Sequence, residues 1–143
     1  MTRNLIVLGC AALLAFGLSF GSFAGSSPDS DSDGVPDAFD NCSSTANGPL
    51  AATPILCNAQ QDFDVDGYGQ ACDPDVNNDG GVGLDDVNDV LGAQGSGAGN
   101  ASDLNCDGGV GLDDANIVLG SQGATPGPSG LSCAGTGTPC SAQ

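Results

Sequence analysis

The amino-acid sequence predicts a small, mostly α and loop-rich fold: a pair of loop–helix units preceded by an irregular, disulfide-linked region. Three observations carry that expectation. A 21-residue segment recurs at a period of 28 residues, with 16 of the 21 positions identical. All 18 acidic side chains are Asp, against one basic side chain, Arg3, and no His, so the net charge is −17. Six cysteines follow residue 24, an even number that suits a disulfide framework in a small exported chain.

Residues 1–24 read as an export signal. Arg3 supplies the basic start, an uncharged apolar run extends from Leu5 to Phe23, and Ser22 and Ala24 place small residues at −3 and −1 of a cut before Gly25. The run is also about long enough for an uncleaved signal anchor, and Leu8-Gly9-Cys10 has a faint likeness to a lipoprotein cut. Cleavage is the expected outcome, with a secreted or cell-surface location and no membrane contact afterwards. The cleaved chain carries charge −18, and Leu, Ile, Val and Phe make up 20 of its 119 residues. So charged a chain with so few large apolar residues does not fold on a hydrophobic core alone. Nucleic acid and anionic membranes are excluded as partners, because both require Lys or Arg. Without His, Lys or Glu there is little acid–base chemistry to build with, and the chain is expected not to be an enzyme.

The repeat copies span 75–95 and 103–123. Each opens D-x-N-x-D-G, with Val at position 8 and Asp at position 12. That spacing matches the calcium loop of an EF-hand, with Asp in place of the usual Glu at position 12. Calcium is a hard cation that takes six to eight oxygens. Positions 1, 3 and 5 turn side chains to one centre, namely Asp75, Asn77 and Asp79, then Asp103, Asn105 and Asp107. Gly80 and Gly108 permit the sharp turn, and position 7 contributes only a carbonyl, so Gly81 and Gly109 suffice. Position 9 is Gly in both loops, which leaves that place to water. Val82 and Val110 are expected to pair across the two loops as a short strand bridge. Asp86 and Asp114 close each loop from the first turn of a helix. Leu84, Val87, Val90 and Leu91 then form one apolar helix face, and Leu112, Ala115, Val118 and Leu119 the equivalent one. Gly92 and Gly120 end the helices. No helical pattern precedes either loop, so each unit reads as half an EF-hand.

These residues, from Asp75 to about Gln122, resemble the dockerin family, whose domains consist of two such loop–helix repeats. The resemblance implies two calcium ions and a cohesin-type protein partner, as in extracellular polysaccharide-degrading assemblies. It further implies that Leu84, Asp85, Leu112 and Asp113, at positions 10 and 11, contact that partner. Being the same in both copies, they fit a two-fold surface able to bind in either orientation, and they also read as two ordinary helix starts.

Two further twelve-residue frames precede the repeat. Asp29, Asp31, Asp33, Asp37 and Asp40 occupy positions 1, 3, 5, 9 and 12 of the first, with Gly34 at position 6. Asp62, Asp64, Asp66 and Asp73 occupy 1, 3, 5 and 12 of the second, with Gly67 at position 6. Pro36 and Pro74 rule out a following helix. These stretches resemble thrombospondin type 3 repeats, in which the chain wraps calcium with little regular structure and a cysteine of one repeat bridges to the next. That resemblance implies a bond between Cys42 and Cys72. Together the four frames use 15 of the 18 Asp, leaving Asp85, Asp89 and Asp113. Without cations these clusters repel one another, so calcium binding is expected to be coupled to folding.

Zinc binding by the cysteines is disfavoured, since no pair has the spacing of a zinc knuckle and His is absent. Cys133 and Cys140 are expected to pair with each other; the residues alone leave Cys42, Cys57, Cys72 and Cys106 open. The expected organisation is a signal at 1–24, calcium-wrapped repeats at 25–73, the loop–helix pair at 74–123 and a Gly/Pro-rich tail at 124–143. The expected function is an exported calcium-binding structural or interaction module, with a dockerin-like adaptor as the alternative.

Overall fold

Helix forms where the repeat places it. In a computed structural model, which describes residues 27–51 and 57–140, α1 spans Leu84–Gly92 and α2 spans Leu112–Gly120. The expected export signal, with Arg3, lies outside the described residues. Each helix starts in the same way. The third helical residue, Asp86 or Asp114, reaches back to accept the N–H of the capping glycine, Gly83 at 2.7 Å or Gly111 at 2.8 Å. A carboxylate there also answers the positive end of the helix dipole. The only other helical turn among the described residues is a 3-10 turn at Asp37–Phe39, entered from Pro36, and no strand forms. No helix among the described residues is long and apolar enough to cross a membrane.

The two helices pack together over a small core of Val82, Val87, Val90, Leu104, Val110, Ala115 and Val118, flanked by Val76 and Ala93. Two expectations are corrected here. Leu84 and Leu112 are 65% and 66% exposed, and Leu91 and Leu119 also face solvent. The reason is that Asp86 and Asp114, fully buried, claim the inner face. With about 100° per residue, a stripe through Asp86, Val87 and Val90 leaves positions 84 and 91 on the flank. Val82 and Val110 also do not exchange backbone bonds with each other. Val82 donates to Ala124 O and accepts from Gly123 N–H, at 3.0 and 2.9 Å; Val110 donates to Ser96 O and accepts from Gly95 N–H, at 2.9 and 3.0 Å. Adding 28 to 95 and 96 gives 123 and 124, so the bonds are the same under exchange of the two units. Each loop is pinned by the chain leaving the other unit's helix.

Three disulfides join Cys42 to Cys72, Cys57 to Cys106 and Cys133 to Cys140. The first is the pairing implied by the thrombospondin-type resemblance, the third is the expected C-terminal pair, and the second was left open by the residues.

The C-terminal segment is a strap across the N-terminal half. Gly127 N–H donates to Cys72 O, Gly130 N–H to Asp40 O, Gly135 N–H to Asp66 O and Cys140 N–H to Val65 O, all between 2.7 and 3.0 Å. Ser43 N–H returns a bond to Pro128 O at 2.9 Å, and the Ser129 hydroxyl donates to Gly67 O at 2.7 Å. At Gly130 the strap lies so close to the Asp37 carbonyl that any Cβ would overlap backbone. Gly130→Ala is therefore expected to cost about 1–3 kcal/mol through forced displacement, read as a lower thermal midpoint. Gly120→Ala, whose Cβ meets nothing within 4 Å, serves as the neutral or stabilising control.

Candidate metal centres

The four aspartate frames fold into one kind of loop. Position 4 is left-handed in every frame, at Ser32, Val65, Asn78 and Cys106, with φ of 64, 64, 59 and 54°. Position 6 is left-handed as well, at Gly34, Gly67, Gly80 and Gly108, with φ between 94 and 100°, where a Cβ would be strained. This pair of turns curls the chain around its own side chains, and the hydrogen bonds repeat accordingly. The carboxylate at position 1 accepts the N–H of position 6: Asp29 from Gly34 at 3.2 Å, Asp62 from Gly67 at 3.0 Å, Asp75 from Gly80 at 2.8 Å and Asp103 from Gly108 at 3.2 Å. The carboxylate at position 5 accepts the N–H of position 7: Asp33 from Val35, Asp66 from Tyr68, Asp79 from Gly81 and Asp107 from Gly109.

Position 3 differs between the halves. Asp31 and Asp64 complete two acidic trios, Asp29–Asp31–Asp33 and Asp62–Asp64–Asp66, each with carboxylate oxygens within 4.8 Å of one another. Asn77 and Asn105 occupy this place in the other two loops. Their amide oxygens accept from Asp79 and Asp107 N–H at 2.9 and 2.8 Å. Their amide nitrogens donate to Asp85 and Asp113 at 3.0 and 2.6 Å. Those two acids, read from sequence as partner contacts, thus also orient the position 3 amides.

Position 12 is buried in all four frames, at Asp40, Asp73, Asp86 and Asp114. Asp86 accepts Asn77 N–H at 3.2 Å, and Asp114 accepts Leu104 and Asn105 N–H at 2.8 and 3.1 Å, which draws the helix start against the loop entrance. Asp40 accepts Cys42 N–H at 2.8 Å and the Gln60 amide at 2.9 Å. Asp37, expected at position 9 of the first ring, instead accepts Ser30 N–H and Oγ at 2.7 and 2.8 Å and stands outside the Asp29 trio.

Sequence reading missed the polar scaffold behind the first frame. Asp33, fully buried, receives the N–H groups of Asn47 and Gly48. The Asn47 amide donates to Asn41 Oδ1 at 2.8 Å, and Gln60 Oε1 accepts Asn41 N–H at 2.8 Å. Amides in a long connection carry no periodic signal, and nothing in the spacing marked them.

The electrostatics follow from burial without compensation, because the described residues include no Lys, Arg or His. Burial and the charges of Asp66 and Asp64 push the Asp73 carboxyl up to about 8, the Asp75 N–H opposing only in part. Asp62 is raised to about 6, mainly by burial and then by Asp64. Burial also raises Asp31, Asp40, Asp66, Asp75 and Asp103. Position 12 is coupled to its ring in each frame: Asp40 raises Asp31, Asp86 raises Asp75, Asp114 raises Asp103, and Asp64 and Asp66 raise Asp73. Three carboxylate oxygens are buried with no hydrogen-bond partner, Asp31 Oδ2, Asp40 Oδ2 and Asp103 Oδ1. An orphaned, buried, charged oxygen is costly unless a cation meets it. All donors are oxygen and every described cysteine is in a disulfide, a donor set that fits a hard cation such as calcium rather than zinc. The second and third frames also share a cleft of about 730 Å³ lined by Asp64, Asp66, Asp75 and Asp79, and Asn78 bridges to Asp64 at 3.1 Å.

No family model, curated protein or solved structure matches this chain.

A carboxyl whose pKa is raised on folding holds its proton more tightly in the folded state, so its contribution is fully present below the ordinary value and is lost as pH climbs. For Asp73 that window runs from 3.8 to about 8. In chelator, helical signal is therefore expected to be best retained near about pH 5 and to decline towards about pH 8, and Asp73→Asn should make the decline shallower. Helical signal that rises with pH in metal-free protein would contradict this electrostatic account.

Proposed function

We propose that this chain is an exported calcium-binding module, structural or interaction-mediating, whose fold forms on the metal. The observation that best supports it is the recurrence of one loop conformation four times, each time around an all-oxygen set and with no basic side chain to offset the charge. Asp75, Asn77, Asp79 and Asp86 would hold one ion, with Gly81 supplying a carbonyl. Asp103, Asn105, Asp107 and Asp114, with Gly109, would hold a second. The trios Asp29–Asp31–Asp33 and Asp62–Asp64–Asp66, closed by Asp40 and Asp73, would hold the others. Calcium would supply the positive charge that the polypeptide lacks, and Asp40 Oδ2 and Asp103 Oδ1 would gain the partner that protein atoms do not give them.

Circular dichroism in chelator and after calcium addition tests this. At about pH 8, where the carboxylates are charged, helical signal should collapse in chelator and return with calcium, and calorimetric titration should count near four ions. Asp114→Ala should weaken one site by about tenfold or more, equivalent to ~1.4 kcal/mol. Identical spectra with and without calcium would defeat the proposal.

A second reading, the dockerin-like adaptor, is supported by one particular feature. Leu84 and Leu112, equivalent under the repeat, are two-thirds exposed at the helix starts, and each is followed by an exposed acid, Asp85 or Asp113. A cohesin-type partner would meet this pair in either of two orientations. Pull-down from the source's own secreted fraction should then recover a partner only with calcium, and Leu84→Asp with Leu112→Asp should abolish recovery. Capture that persists in that variant rejects the surface.

A further inference from the structure

We infer that the Cys57–Cys106 disulfide is a redox-sensitive tether that sets how tightly the fourth loop holds its cation. This rests on the calcium reading above and adds a mode of regulation to one of its four sites. Cys106 is position 4 of that loop, between Asn105 and Asp107, and takes the left-handed conformation on which the ring depends. The same position in the other loops is Ser32, Val65 and Asn78, all exposed and none covalently held. The two helical loops also differ at position 1. Asp75 accepts both Asp79 and Gly80 N–H, at 3.2 and 2.8 Å. Asp103 accepts Gly108 N–H at 3.2 Å through Oδ2, while Oδ1 is buried and unpartnered.

The other end of the tether is firmly seated. Cys57 is 2% exposed, with its sulfur 3.3 Å from the Leu104 carbonyl, directly beside the first ligand of the loop. Five residues on, Asp62 opens the second frame, and between them Gln60 donates to Asp40 at the end of the first. The bond thus spans 49 residues and ties loop four to a segment that serves both N-terminal frames. Opening it frees loop four from that segment, while loop three, which carries no cysteine, is untouched. Cys106 is half-buried, the more exposed residue of the pair, and is the end we assign to attack. A dithiol thiolate would displace Cys57 as a thiol, and the reagent's second thiol would then release Cys106 and leave as a cyclic disulfide, having supplied both electrons.

The test is calcium titration of the full exported chain by calorimetry, wild type against Cys57→Ser/Cys106→Ser, with Gly120→Ala, whose Cβ meets nothing within 4 Å, as control. One site should weaken by about tenfold in the first variant, the rest and the control being unchanged. Cys57→Ser/Cys106→Asn separates the tether from the turn, because Asn accepts a left-handed backbone; it should bind as weakly as the Ser variant. Unchanged affinities in the Ser variant, equal weakening at every site, or full affinity in the Asn variant each overturn the inference. Should the Ser variant not fold, limited dithiol treatment of wild type, with opened thiols mapped by mass, should release calcium in step with the Cys57–Cys106 bridge. Opening without release again overturns it. Wild type that takes up no calcium overturns the proposed function, and the tether with it.

Discussion

Among the described residues carboxylates are buried without a basic side chain to meet them, and the rest of the structure is arranged around that constraint. Asp33, Asp40, Asp73, Asp75, Asp86, Asp103 and Asp114 are all taken out of solvent. The polypeptide answers with the donors it has, its own N–H groups, and aiming several of them at one carboxylate forces the chain into consecutive left-handed turns. Loop shape and charge are therefore one problem. The N–H dipoles soften the repulsion without cancelling it, as the upward displacement of the Asp73 and Asp62 carboxyls indicates. An external cation, as proposed above, would supply the rest.

The apolar core is too slight to organise the molecule, and symmetry substitutes for bulk. Because the two loop–helix units exchange equivalent backbone bonds through Val82 and Val110, neither is complete by itself. The same exchange brings Val87, Val90, Ala115 and Val118 against one another. Each helix buries its position 12 aspartate together with two apolar side chains, so core packing and a loop carboxylate sit on a single face.

That shared face explains what could and could not be read from the sequence. The repeat located both helices, and the spacing of Asp and Gly anticipated the four loops, because those signals are local. Helix rotation was misread at Leu84, Leu91, Leu112 and Leu119 because an apolar periodicity assumes that apolar residues alone point inward. The Val82–Val110 bridge was misread because the true partners, Gly95–Ser96 and Gly123–Ala124, lie in segments that look like plain linkers. Asp37 fitted the spacing of a ligand, and its bonds to Ser30, seven residues back, carry no signal in that spacing. The Asn41, Asn47 and Gln60 scaffold and the Cys57–Cys106 bond depend on long-range contacts that leave no periodic trace.

The C-terminal strap has a consequence for how the chain matures. Gly127, Gly130, Gly135 and Cys140 supply hydrogen bonds to Cys72, Asp40, Asp66 and Val65. A polypeptide emerging from the ribosome N-terminus first would have its earliest loops extruded long before the groups that fasten them. Those loops therefore stay unfastened until the strap itself has been made, and the first half is completed only by the last of the described segments.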